Sequence, residues 1–180
     1  VEWWNTSQNA IADCGQVKKD KLLETVLESD ICLRTGVEKL LEKCHSSNLP
    51  FIIFSAGCGD IIDIMLKNKQ PICWTENNMT IISNMLVYDK ETDNTCIAWT
   101  QPKIHSLNKN SALERLKLRA ENDKLQTSQE NYEKLNNLVK NRQNVITMGD
   151  HLRDPAMKTG MQDLKTTLDI GFLNYNVKKN

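Results

Sequence analysis

Nowhere in the sequence do apolar residues run long enough to cross a bilayer, and the first residues lack the basic-then-apolar order of a secretory leader. Neither sign of charge is in excess, with 23 Lys and Arg against 23 Asp and Glu. A protein that grips a nucleic-acid polymer by its phosphates needs a basic face, and this composition gives no support for one. The six cysteines (Cys14, Cys32, Cys44, Cys58, Cys73 and Cys96) form no Cys-x-x-Cys pair, and the three histidines are scattered, so zinc-ligand spacing is absent. What these absences leave is a cytosolic protein with no membrane and no nucleic-acid polymer as partner. Its cysteines are expected reduced and mostly buried.

What is present suits one core: apolar residues make up 39% of the 180 residues, the size of a single α/β domain or a domain with a small lid. The chain opens at Val1 rather than Met, inside a stretch that reads as helix (Val1, Glu2, Trp3, Trp4), as a fragment would.

The apolar period divides the chain. As far as His45 it is helical, with Leu22, Leu23, Val26 and Leu27 on one face. After Gly36 come Val37, Leu40, Leu41 and Cys44, ending near Asn48 and Pro50. Phe51-Ile52-Ile53-Phe54 is then a short continuous apolar run, the mark of a strand buried on both faces. It is expected to break at Ser55-Ala56-Gly57-Cys58-Gly59 and to give way to a helix from Asp60 to Lys67. Further strands are predicted over Met79 to Met85, Asn144 to Met148 and Ile170 to Leu173, with a turn or hairpin between Asp89 and Gln101. Ser111 to Gln143 is polar with spaced leucines and reads as a helix, an interrupted helix or an insertion. Strands alternating with helices imply a parallel, doubly wound α/β sheet, whose ligands bind at the carboxyl ends of the strands. Ser55, Asn84 and Asp150 are the polar residues that stand there.

Three positions carry chemistry, each with a plainer structural reading beside it. Ser55, followed by small residues that free their N–H groups, makes a phosphate or oxyanion cradle, or a turn serine capping a helix. Asp150 and Asp154 place one carboxylate on a loop and one on the first turn after it, hard oxygen ligands suited to Mg²⁺, or a helix cap and a solvated aspartate. Lys109 neutralises a phosphate or holds a carboxylate, or is an ordinary loop lysine.

In order, a hydroxyl after one strand, a lysine, and Gly-Asp-x-x-x-Asp after another strand resemble the downstream motifs of haloacid-dehalogenase phosphatases. Phe54-Ser55-Ala56-Gly57-Cys58-Gly59-Asp60, Ile82-Ser83-Asn84-Met85, His105-Ser106-Leu107-Asn108-Lys109-Asn110, Gly149-Asp150 and Ile170-Gly171-Phe172-Leu173-Asn174 resemble the cytosolic 5'-nucleotidase III family. So do the opening Val1-Glu2-Trp3-Trp4 and Leu33-Arg34-x-Gly36. That family holds pyrimidine 5'-nucleotidases and 7-methylguanosine-phosphate-specific nucleotidases. The resemblance implies a Rossmannoid parallel sheet with a helical cap: residues 1–35 as part of the cap and 36–180 as an incomplete core, with a helical insertion at 111–143. It implies a Mg²⁺-dependent phosphohydrolase acting on a nucleoside 5'-monophosphate through an aspartyl-phosphate. Ser55 and the backbone of Ala56 would hold the phosphate, Lys109 would offset its charge, Asp150 would bind Mg²⁺ and Asp154 would support that site. Trp4 and Ser7 match positions lining the base pocket, where an indole face stacks on a base and gains more from a cationic 7-methylguanine. Trp4 resembles the 7-methylguanosine group and Ser7 the pyrimidine group. The plainer reading of the Trp3-Trp4 pair is core packing.

The family's nucleophile and its acid–base partner belong to an Asp-x-Asp-x-Thr-like motif, and no Asp-x-Asp occurs in the sequence. Asp60 and Asp63 have the wrong spacing, and Asp89 and Asp93 lie in a turn. The expectation is therefore a piece of a longer chain, with the nucleophile strand upstream and a last strand and helix downstream. The alternatives are an inactive nucleotide-binding remnant, or a phosphatase of the same superfamily for another small phosphate ester. His151 and Arg153 stand where relatives carry small residues.

Overall fold

The computed structural model describes residues 2–69, 78–123 and 126–173. Val1, Cys73 and Asn174, named above, lie outside them. The chain divides into two compact units, Val1–His105 and Ser106–Asn180.

The first unit begins with three helices, α1 (Glu2–Asp13), α2 (Lys19–Glu28) and α3 (Val37–Ser46). In α3 the predicted face is buried through Leu41 and Cys44, while Glu38 lies in the first turn and Lys43 in the last, each charge at the end of the helix dipole that favours it. β1 (Phe51–Cys58) follows, then α4 (Gly59–Ile64), which widens into a π-helical turn over Met65–Lys69. β2 (Met79–Asn84) runs parallel to β1, with Phe51 opposite Met79 and Phe54 opposite Ile82. Val26, Leu41, Cys44, Met65, Leu66 and Met79 make the core beneath this pair. β3 (Leu86–Asp89) and β4 (Thr95–Trp99) form an antiparallel hairpin that begins three residues before the predicted span, with Asp93 and Asn94 at positive φ in its turn. Leu86, Cys96 and Trp99 build a second core cluster there, packed against Ala12, Val17 and Leu22.

One expectation changes here. The chain does not leave the strand at Ser55; β1 stays extended to Cys58, and α4 starts at Gly59. What breaks is the register. From Phe54 to Cys58 is four residues, yet their partners Ile82 and Asn84 are two apart. Ser55, Ala56 and Gly57 therefore form a bulge, which re-aims a strand where it stands. The carbonyls of the bulge take side-chain donors: Ser83 Oγ donates to Gly57 O at 3.0 Å and Asn84 Nδ2 to Ala56 O at 2.9 Å. Small residues in the sequence signalled an interruption, and tertiary donors turned it into a bulge.

The second unit holds α5 (Ala112–Asp123), α6 (Gln126–Val139), β5 (Asn144–Gly149), a 3-10 turn over Asp154–Lys158, and β6 (Thr166–Gly171). The predicted 111–143 segment is thus two helices packed on each other, and it buries Leu135 and Val139. β5 and β6 pair in parallel and in register from Asn144–Thr166 to Gly149–Gly171, so the last strand starts four residues earlier than predicted. Among the described residues the parallel strands form two separate pairs, β1–β2 and β5–β6. The 3-10 turn packs on β5, while Ile146 and Leu168, which point to the other face of the β5–β6 pair, are exposed.

The cysteine expectation holds in part. Cys14, Cys32, Cys44, Cys58 and Cys96 are all free thiols, but only Cys44 and Cys96 are buried; Cys14 and Cys32 are exposed.

Candidate active site

Each unit gathers part of the predicted set. In the first, Trp3, Trp4, Ser7, Gln8 and Ile11 of α1 face Ala56 and Gly57 of the bulge and Cys58 after it, together with Trp99, across a cleft of about 160 Å³. Trp3 and Trp4 meet edge to face, their ring centroids 5.1 Å apart and their planes at 81°. Trp3 is 70% exposed, so the pair is not the core packing that a tryptophan doublet at a helix start would suggest. A cleft walled by indoles and by a strand bulge can hold a flat aromatic ring. Ser7 is the less available of the predicted pair, because its hydroxyl donates to the Trp3 carbonyl one turn back at 2.7 Å.

Ser55 also has an intramolecular partner. Its Oγ accepts the Gly57 N–H at 3.1 Å, closing a small turn inside the bulge. Asn84 is the hidden part of this arrangement. With no exposed surface, its Nδ2 donates to the carbonyls of Ala56 and Ile104 at 2.9 and 2.8 Å, and its Oδ1 accepts the Ile104 N–H at 2.7 Å. One amide thus fixes both the bulge and the segment that leads out of the hairpin. Sequence reasoning marked Asn84 only as a polar residue at a strand end; a buried amide beside Ser83 was the available signal. Gly59 completes the fit, since a Cβ there would fall onto Met85 Sδ and come within 3.0 Å of Ser83 Cβ.

Burial pushes the Cys58 thiol up to about 11, with the Asp60 carboxylate adding to the effect. At neutral pH it is the protonated, poorly nucleophilic form. At pH 8, iodoacetamide followed by peptide mass spectrometry should therefore label Cys14 and Cys32 about tenfold or more faster than Cys58.

In the second unit Lys109, Asp150 and Asp154 gather at the carboxyl end of β5. Lys109 Nζ donates to Asp154 Oδ1 at 2.9 Å, and their side chains are 19% and 8% exposed. Asp154 Oδ2 accepts the His151 N–H at 3.0 Å, which folds the loop back on itself. Burial opposes ionisation of Asp154, but the Lys109 ammonium and the His151 and Asp150 N–H groups outweigh it and hold the carboxyl below the usual range. A depressed carboxyl stabilises the fold fully above its unfolded pKa. This contribution is complete at neutral pH and fades only as acid takes the pH down through the ordinary carboxylate range towards the folded value. Asp150, one residue past β5, is exposed, and Asp154 opens the 3-10 turn, as the spacing predicted. Gly149 is what lets them fit. A Cβ at that position would land on the Asp154 carboxyl and stand 2.6 Å from Asp154 Cβ. His151 and Arg153 are exposed, so their bulk points away from this packing, and His151 Nδ1 accepts the Arg153 N–H at 3.1 Å.

The donors suit Mg²⁺. Two carboxylates at a strand end are hard oxygen ligands, and Mg²⁺ takes one or two of these while water and substrate phosphate complete its shell. No cluster of three or more His, Cys, Asp or Glu side chains able to hold a metal occurs among the described residues, so a more enclosed protein cage is not offered there.

Known proteins resemble this chain over nearly its whole length. A putative cytosolic 5'-nucleotidase 3 of Caenorhabditis elegans is 32% identical over 173 residues, covering 96% of this chain and 41% of the relative. The 7-methylguanosine phosphate-specific 5'-nucleotidase of Gallus gallus is 28% identical over 179 residues, covering 99% of this chain and 54% of the relative. The chain thus spans about half the length of the curated relatives it matches. A crystal structure of cytosolic 5'-nucleotidase IIIB bound to cytidine superposes with a TM-score of 0.70 at 24% identity, over 96% of this chain and 51% of that one, which shows the haloacid-dehalogenase-like fold. The sequence model of the pyrimidine 5'-nucleotidase (UMPH-1) family matches residues 1–180, and the chain belongs to that family.

Proposed function

We propose that the protein to which these residues belong is a cytoplasmic, Mg²⁺-dependent 5'-nucleotidase that converts a nucleoside 5'-monophosphate, a pyrimidine nucleotide or 7-methyl-GMP, to nucleoside and phosphate. The observation that carries the reading is the Lys109–Asp154 pair beside Asp150 at the end of a parallel strand, in a chain whose whole length matches the family. No helix among the described residues is long and apolar enough to cross a membrane.

In this proposal an aspartate carboxylate attacks phosphorus, the nucleoside leaves as its alcohol, and water then cleaves the aspartyl-phosphate. The 180 residues contain no Asp-x-Asp, so in this reading the attacking carboxylate and its acid–base partner would come from sequence outside them. Bound Mg²⁺ would neutralise phosphate charge as a Lewis acid. Asp150 would hold the ion, with Asp154 supporting it. Lys109, oriented by Asp154, would set an ammonium against the charge that develops on the transferring group. Ser55 Oγ and the Ala56 backbone would bind phosphate oxygens, the bulge having already fixed their direction. Trp4 would stack on the base, with Ser7 beside it. The pairing of 1–35 with a cap and 36–180 with the catalytic core belongs to the same proposal.

The test uses the full chain with CMP, UMP, AMP and 7-methyl-GMP, measuring phosphate release with and without Mg²⁺. Asp150→Asn should abolish the Mg²⁺-dependent rate, and Lys109→Ala should lower kcat/KM by about 100-fold or more. Unchanged turnover in either variant rejects the assignments. Nucleotide binding without turnover by the wild-type chain would favour a binding-only protein, and release from sugar phosphates alone would favour another substrate class.

A further inference from the structure

At the far end of the Asp150 loop lies a cluster that the catalytic reading does not use. Thr147 of β5 and Asp169 of β6 are paired across the parallel ladder, and the Thr147 hydroxyl donates to Asp169 Oδ1. Lys158, the last residue of the 3-10 turn, donates its ammonium to both oxygens of the same carboxylate, at 2.6 and 2.7 Å. Thr147 is buried, the Lys158 side chain is 20% exposed and that of Asp169 is 39% exposed. The Lys158 ammonium and then the Thr147 hydroxyl hold the Asp169 carboxyl below its usual range, so the network is charged at neutral pH.

We infer that Thr147, Lys158 and Asp169 are positioning residues that fix the loop carrying Asp150 and Asp154. The loop leaves β5 at Gly149 and enters the 3-10 turn at Asp154, and Lys158 closes that turn on β6. The segment from 150 to 158 is thereby tied at both ends to the same strand pair. A five-residue 3-10 turn has few hydrogen bonds of its own, so its orientation depends on these anchors. With Lys158 released, Asp154 would keep its Lys109 and His151 contacts on a segment whose other end could swing. Asp150 would then spend less time where a cation needs it, relative to the Lys109–Asp154 pair. Partners beyond the ligands commonly change metal affinity in this way. The metal part of this inference rests on the reading of Asp150 and Asp154 given above; the tethering does not.

The experiment compares Asp169→Asn, Asp169→Glu and Thr147→Val in the full chain. Mg²⁺ binding is read by calorimetry, exchange of the amides of residues 151–158 by hydrogen–deuterium exchange, and turnover as a function of Mg²⁺. Asp169→Asn should weaken Mg²⁺ binding by about tenfold. It should speed exchange at Asp154 and Ala156 and leave kcat at saturating Mg²⁺ within about twofold of wild type. Thr147→Val should do the same to a smaller degree, and Asp169→Glu should recover most of the affinity. Lys18→Ala, which breaks an exposed pair with Asp93 in the other unit, serves as the control and should leave exchange at 151–158 unaltered. If Asp169→Asn and Thr147→Val leave both Mg²⁺ affinity and exchange at 151–158 as in wild type, the inference is overturned. Loop exchange that rises in a protein whose wild type binds no Mg²⁺ would uphold the tether and reject the metal reading.

Discussion

Gly149→Ala should cost the full-length protein about 100-fold in kcat/KM, although it adds only one methyl group and removes no functional side chain. The added carbon falls on the Asp154 carboxyl, which must move away. That carboxyl bonds Lys109 on one oxygen and the His151 N–H on the other, so it cannot move without releasing one of them. The collision reaches the root of the side chain and not only its tip: Asp154 Cβ itself stands 2.6 Å from the new carbon. The strain should also appear as a stability loss of about 1–3 kcal/mol, the usual range for overpacking. Phosphate release and chemical denaturation check the two effects separately. A Gly149→Ala enzyme with wild-type kcat/KM would mean that the Lys109–Asp154 arrangement has no part in turnover.

Asn84→Ala should give the largest fall in stability, about 3–5 kcal/mol. It strips three hydrogen bonds from a position with no exposed surface, leaving the Ala56 carbonyl and both Ile104 groups short of a partner. An abandoned buried group costs about 1–3 kcal/mol, and neighbouring losses do not simply add. Asn84→Asp tests the direction of the bonds. It keeps an acceptor for the Ile104 N–H but turns a buried charge towards two carbonyls, and should be no more stable than Asn84→Ala. Midpoints of urea unfolding at equal slope would read both. A loss under about 1 kcal/mol in Asn84→Ala would show that water takes over these bonds, and that the bulge is not held by this amide.

Much of this was legible in the sequence because local signals and tertiary demands agree. The change from helical to strand period at Phe51, the hairpin between Asp89 and Gln101, and the Asp150 to Asp154 spacing each follow from a few residues, and the structure contains each of them. What the sequence concealed were groups whose partners are remote along the chain. The bulge at 55–57 exists because Ser83 and Asn84 supply donors from another strand, and no pattern around Ser55 encodes them. The Lys158–Asp169 contact joins a turn to a strand eleven residues on. The partner of Lys109 is 45 residues away. Asp154 was readable as a carboxylate near a strand end, but not as the group that orients the lysine. Ser7 marks the converse limit. Its position in the cleft follows the resemblance, while the hydroxyl's bond to Trp3 comes from helix geometry that a motif does not display.

The indole N–H of Trp99 donates to the main-chain oxygen of Gln8 at 2.7 Å, in the middle of α1. The helix that carries Trp4 and Ser7 is thereby hung from the β3–β4 hairpin, while the opposite wall of the cleft belongs to β1. The width available to a flat ring is then inherited from how the hairpin sits, not only from the side chains that would meet the ring. On the proposed reading of this cleft as the base pocket, a change in the hairpin's turn near Asp93 and Asn94 should alter base preference without touching the base.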